Sequence, residues 1–232
     1  GKKVTRNGTW NTIVKNIDSL IAYGVKPYIL CTVTLDNHNS LAELVAFCSA
    51  KGIGVRFSLV RDKKISTDLR AQEQILETMR SIYVYLGDHF PVSMPIERFA
   101  RFAEWNMHKK KLKACGVCES MLCIDNGGEV SSCQMYMEKG YGNVNTEKLS
   151  TMLSAMKTDP DNHYLIKPQK KNSPYKDCDW KFVCAGGCPE HTRTVYNTID
   201  SKSPWCFVYK ELLPVYIEAI AKQIRRAIST AK

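Results

Sequence analysis

Residues 28–60 read YILCTVTLDNHNSLAELVAFCSAKGIGVRFSLV, and their order decides the fold class. Tyr28 to Thr34 is a short apolar, β-branched run of the kind that forms a buried parallel strand. Ser40 and Glu43 have capping-box spacing ahead of a helix carrying Leu41, Leu44, Val45 and Cys48, with Gly52 as its stop. Val55 to Val60 is a second strand. Upstream, Trp10, Ile13, Val14, Ile17, Leu20 and Ile21 recur at helical spacing as far as Gly24. Downstream, Thr67 or Asp68 opens a longer helix through Ile75, Met79, Ile82 and Leu86. Helix–strand–helix–strand–helix is the order of a parallel α/β sheet or barrel. Two strands are too few for either, because parallel strands need neighbours and covered faces. The chain starts at Gly1 rather than Met, and the expectation is that further strands precede it.

Beyond residue 90 the pattern changes. Pro91 and Pro95 lead into an expected helix around Ile96 to His108, followed by Lys109, Lys110, Lys111 and Lys113. Asn126-Gly127-Gly128 marks a hairpin between Met121–Asp125 and Glu129–Cys133. A short helix carries Leu149, Met152, Leu153 and Met156; residues 157–176 read as a polar surface loop. The last helix presents Leu213, Tyr216, Ile217, Ile220 and Ile224 on one face, with Pro214 acceptable in a first turn or as a kink.

At 232 residues and 26.3 kDa, with 44% hydrophobic and 24% charged residues, the chain suits one large domain or two small ones. It has no apolar run near the roughly 20 residues that cross a bilayer and no signal-peptide pattern. The net charge of +10 gathers at the lysine run, at Lys167, Lys170 and Lys171, and at Arg225 and Arg226. Without interleaved aromatics these read as solvated surface rather than a nucleic-acid site.

Ten cysteines are present, and eight of them fall in the second half. They run Cys115-x2-Cys118-x4-Cys123, Gly128-x4-Cys133, Cys178-x5-Cys184-x3-Cys188 and Cys206. Short thiolate spacings wrap one loop around a metal, distant cysteines close the shell, and sulfur ligands select iron–sulfur clusters or zinc. Disulfides are the competing use of an even cysteine count, but a disulfide scaffold staples a fold throughout, whereas the first half has only Cys31 and Cys48. Those two, and Cys123 between Leu122 and Ile124, read as core or strand residues. Cys184, Cys188 and His191 also make a C-x3-C-x2-H string that zinc would accept.

The pattern C-x12-G-x4-C, C-x5-C-x3-C, C resembles the SPASM domain, the C-terminal extension of many radical S-adenosylmethionine (SAM) enzymes. CIDNGGEVSSCQMY, CAGGCP and SPWCFVYK are similar to that family's hairpin, Cys-x3-Cys turn and closing helix, over about residues 113–225. NGTWNTIVKNI, CTVTLDN and VRFSLVRD resemble late elements of the radical SAM partial barrel. The similarity is to anaerobic sulfatase-maturating and peptide-modifying enzymes. It implies an α/β fold: a C-terminal portion of a partial (β/α) barrel with its linker helix over residues 1–112, then a small α+β SPASM domain over residues 113–232.

The resemblance also implies cofactors. A first auxiliary [4Fe–4S] cluster would use Cys115, Cys118, Cys133 and Cys188, and a second would use Cys178, Cys184 and Cys206. The second set's usual fourth cysteine is Tyr175 here, which leaves an open iron, an oxygen ligand from Asp177 or Asp179, or no cluster. Arg6 and Ser58 are candidates to approach SAM in the intact protein. The C-x3-C-x2-C that binds the SAM-cleaving cluster is absent, so no catalytic residue is assigned. The function implied is radical-based oxidoreductase modification of a peptide or protein, with an external reducing electron donor and a reducing, cytoplasmic setting. The alternative from another class is a non-enzymatic metal module, either an electron carrier or a zinc-stabilised binding domain.

Overall fold

The computed structural model describes residues 9–117, 120–159 and 173–230. The first helix, α1 (Thr9–Ala22), ends before Gly24, which takes a left-handed φ of 79°. Strand β1 (Tyr28–Val33), helix α2 (Leu41–Lys51) and strand β2 (Gly54–Leu59) follow as expected, with Gly52 closing α2 in the left-handed region. The expected capping box at Ser40 is not formed. A 3₁₀ turn over His38–Ser40 runs straight into α2, so Ser40 is not extended (φ −95°, ψ 1°) and its side chain makes no cap bond. A short α3 (Lys63–Thr67) precedes α4 (Leu69–His89), where Asp68 accepts from the amides of Arg70 and Ala71 at 2.9 and 3.4 Å.

The expected helix over Ile96–His108 is corrected. Helix α5 stops after one turn (Ile96–Phe99), and the chain becomes a third strand, β3 (Ala100–Phe102). Phe99, Phe102 and Trp105 have helical spacing, but β2 has a free edge and β3 fills it, with Val55 opposite Ala100 and Phe57 opposite Phe102. Tertiary pairing overrides local periodicity here. The sheet is parallel, in the order β1-β2-β3.

One face of this sheet, carrying Val33, Val55, Phe57, Leu59 and Phe102, is buried in the main core. The other face carries Tyr28, Leu30 and Thr32 of β1 beside Gly54, Arg56 and Ser58 of β2, and Leu30 is 75% exposed. Among the described residues β1 pairs only with β2.

The second half opens with a small antiparallel sheet, β4 (Cys123–Ile124), β5 (Glu129–Ser131) and β6 (Gly140–Asn143). The expected hairpin forms the first two strands. Asp125 Oδ1 accepts from the amides of Gly127 and Glu129, both at 2.8 Å, and Gly128 takes a φ of 88° that L side chains avoid. Strand β6 has no periodic signal in its GYGN sequence and was not expected. The short helix α6 (Leu149–Thr158) buries Met152 and Met156 against this sheet. Most of the expected loop over 157–176 lies outside the described residues.

Two short helices, α7 (Lys181–Cys184) and α8 (Pro189–Tyr196), lead to the long α9 (Cys206–Thr230). Pro214 lies inside α9, not in its first turn. Helix α9 packs along α4, with Tyr83 and Tyr216 edge-on at 5.0 Å between ring centroids and Gly87 facing Ala219. Trp205 donates from its indole nitrogen to the Val60 carbonyl at 2.8 Å. The main core therefore runs across residue 112 and includes Cys184, Trp205, Leu212 and Tyr216 from the second half.

Candidate metal centre

All nine described cysteines are free thiols, and Cys118 lies outside the described residues. Six of them gather at two places. Cys115 comes from the coil ahead of the hairpin, Cys133 from just beyond β5, and Cys188 from the start of α8. Together they line a cavity of about 240 Å³ with Arg61, Glu104 and Cys123. Cys178, Cys184 and Cys206 line a second space of about 10 Å³ with Tyr175 and Tyr209. By the same measure one water needs about 10–15 Å³. The first cavity has the scale of a polynuclear group, and the second has room for about one water.

The turn between Cys184 and Cys188 sends these two neighbours to different places. Ala185, Gly186 and Gly187 all take left-handed φ values, 53°, 81° and 73°. This costs little for glycine and about 1–2 kcal/mol for an alanine. The reversal leaves Cys184 at the end of α7 and Cys188 at the N-cap of α8.

Amides point at the sulfurs of the first cavity. The Met135 amide donates to Cys133 Sγ at 3.3 Å. Burial pushes the Cys115 thiol up to about 11, while the Val117 amide acts against it. Burial also raises Cys188, opposed by Arg61 and by the His191 and Glu190 amides at the first turn of α8. These free thiols are costly to ionise in place, and a bound cation inverts that preference. Amides and cations are set to stabilise sulfur in its anionic form. Donor type, amide orientation and space all fit a thiolate-bound iron–sulfur group in the first cavity. Cys123, in β4 and half-buried, also borders it.

The second set fits less well. Burial raises Cys184 and Cys206, and Cys178 acts in the same direction on both. Tyr175, in place of a fourth thiol, donates from its hydroxyl to the Gly186 carbonyl at 3.1 Å and accepts from the Ser203 amide at 2.7 Å. Its ring stands so close to Gly186 that a Cβ there would lie 2.4 Å from it. Asp177 and Asp179 are exposed, and neither lines this space. As folded, the set offers thiols but no room for a four-iron group. Among the described residues, no three His, Cys, Asp or Glu side chains form a ready single-ion site.

Ser58 lies on the open face of the sheet opposite Thr32, and Arg6 lies outside the described residues. Cys48 is buried in the core and Cys31 packs against it, as expected. His191 is 2% exposed and its Nε2 is 3.1 Å from Ser66 Oγ, so its ring joins α8 to α3.

The sequence reading missed the charges around the first cavity. Arg61 follows β2 and Glu104 follows β3; both border the thiols. Lys111, read as part of a solvated run, turns inward: its Nζ donates to the Glu104 carbonyl at 2.7 Å, and its amide to the Phe182 carbonyl at 2.8 Å. Arg226 likewise turns inward, donating to the carbonyls of Gly87 and Phe90 at 3.1 and 2.5 Å. No local sequence signal marks these residues, because tertiary folding alone brings them to their partners.

No family model matches this chain, and no curated protein matches it. Among the described residues no helix is long and apolar enough to cross a membrane.

Proposed function

We propose that this chain is the auxiliary-cluster portion of a radical SAM/SPASM protein that supports radical-based modification of a peptide or protein. One observation carries the reading. The thiols sort in three dimensions as the resemblance sorts them in sequence, with Cys115, Cys133 and Cys188 around one cavity and Cys178, Cys184 and Cys206 around another. The separation of Cys184 from Cys188, four positions apart, is the most demanding part of that sorting. The three-stranded parallel sheet with one open face supports a partial barrel.

A [4Fe–4S] cluster is proposed in the first cavity, held by Cys115, Cys133, Cys188 and Cys118. When bound, it supplies one-electron chemistry. The chain's own residues ligate it, turn amides toward the sulfurs and shield it with Val117, Met121 and Leu122. The second set is proposed as a thiolate site that Tyr175 keeps too small for a four-iron group. SAM cleavage is proposed to lie in another part of the intact protein, since this sequence has no C-x3-C-x2-C, and Arg6 and Ser58 are its candidates to approach SAM. A reducing compartment is proposed with the cluster.

The test is iron, acid-labile sulfide and zinc per chain after anaerobic reconstitution. About four iron and four sulfide, lost in Cys133→Ala and retained in Cys184→Ala, is the expected result. Zinc without sulfide would sink the reading and make the chain a structural metal module.

A further inference from the structure

The first cavity is bordered by charges that its ligand set does not require. Arg61 and Glu104 line it, and Lys111 is bonded to the Glu104 backbone behind it. They arrive from three places: just beyond β2, the turn that follows β3, and the run preceding Cys115. Trp205 holds the Val60 carbonyl next to Arg61. Lys111 is fixed at both ends, through its ammonium to Glu104 and through its amide to Phe182 of α7. Glu104 Oε2 is buried without a hydrogen-bond partner. Glu104 and Lys111 are half-buried and joined to each other, while Arg61 is exposed on its outer side and lines the cavity on its inner side.

We infer that Arg61, Glu104 and Lys111 form a charge triad that sets the reduction potential of the cluster in the first cavity, the two cations raising it and the carboxylate lowering it. This rests on the cluster reading proposed above. The physical reason is Coulombic. One-electron reduction makes a thiolate-ligated cluster more negative, so a cation nearby favours the reduced form and an anion opposes it. Such terms persist in a half-buried site, where water screens poorly. The local field supports this assignment: Arg61 interacts with Cys188 and Cys133, and Lys111 with Cys115 and Cys188. Lys111 also interacts with Cys184 of the second set.

The test is an anaerobic redox titration, with dithionite as the one-electron donor and the cluster followed by electron paramagnetic resonance. The relevant signal is the one that Cys133→Ala abolishes. Arg61→Gln and Lys111→Gln are each expected to lower the midpoint, by about tenfold in the reduced-to-oxidised ratio, or about 59 mV for a one-electron couple. Glu104→Gln is expected to raise it. Arg61→Lys and Lys111→Arg keep the charge and should stay near the wild-type potential. A loaded cluster whose potential ignores all three neutralising variants, or moves the same way in each, overturns the triad alone. If a Gln variant loses the cluster while its charge-keeping counterpart holds it, that residue's charge retains the cluster rather than setting its potential, which overturns the inference for that residue. Loss in both members of a pair makes the role one of shape and overturns it. A wild-type chain that takes up no iron or sulfide sinks the cluster reading, and the triad with it.

Discussion

The helix pair α4–α9 carries Cys206 at one end, and its closest approach can be tested with a single methyl group. Gly87 faces Ala219 so tightly that a Cβ built on it would lie 2.8 Å from Ala219 Cα and 3.2 Å from Ala219 Cβ. Two effects compete in Gly87→Ala. In an open helix the change would stabilise by about 0.8–1.0 kcal/mol. Here carbon atoms need about 3.5–4.0 Å, so the helices must part by roughly 0.7 Å or more. Overpacking of this kind costs about 1–3 kcal/mol. The obstructing atom is backbone, which cannot swing aside, so the packing cost should win by about 1 kcal/mol. For a chain of this size that is a fall of about 2–4 °C in midpoint. Thermal unfolding followed by circular dichroism measures it, with Ala219→Gly added to test for partial recovery. A rise in the midpoint of Gly87→Ala would refute the reasoning, because propensity would then outweigh a contact that is not there. Helix α9 begins at Cys206, so the same parting should also loosen the second thiol set.

Three further outcomes are expected. Asp68→Ala removes the carboxylate that caps α4 and should cost about 1 kcal/mol, a loss that Asp68→Asn largely avoids in the same melting assay. Tyr175→Cys removes the ring that crowds the second set and supplies a fourth thiol, so iron per chain should rise from about four to about eight; unchanged iron would show that the ring is not what limits the site. Burial holds His191 at about 4, below its ordinary 6.5. The unfolded chain therefore takes up this proton first as pH falls, so stability is lost between about 6.5 and about 4 and is flat in this respect above that window. The difference in midpoint between wild type and His191→Gln should change across that window, and a difference independent of pH would contradict the assignment.

The parts of the fold legible in the sequence were those whose signal is local. Helix α4 shows its cap at Asp68 and a long apolar stripe, β1 is a short apolar run rich in β-branched residues, and β2 alternates apolar and polar residues after Gly52 and Gly54. Strand β3 was hidden because Phe99, Phe102 and Trp105 fit a helical period and only the free edge of β2 makes them extended. The Ser40 cap failed for a similar reason, since a preceding 3₁₀ turn changed the backbone that a capping box needs. At the candidate site, the two cysteine sets came from the family resemblance, and the left-handed run Ala185–Gly187 that parts Cys184 from Cys188 became visible only in the folded chain. Arg61, Glu104 and Lys111 carried no local signal either. A charged residue before folding looks like solvated surface, and only the assembled sheet and loops bring Arg61 and Glu104 to one cavity with Lys111 bonded behind them.

The open side of β1 has a practical consequence for handling the protein. A strand that shows Leu30 and Tyr28 to solvent and has only β2 beside it, among the described residues, is a template for any extended chain. It lacks the lysine, proline or bulge that usually blunts such an edge. These 232 residues taken by themselves should therefore associate edge to edge when concentrated, and a gatekeeper at Leu30 would suppress this without touching either thiol set.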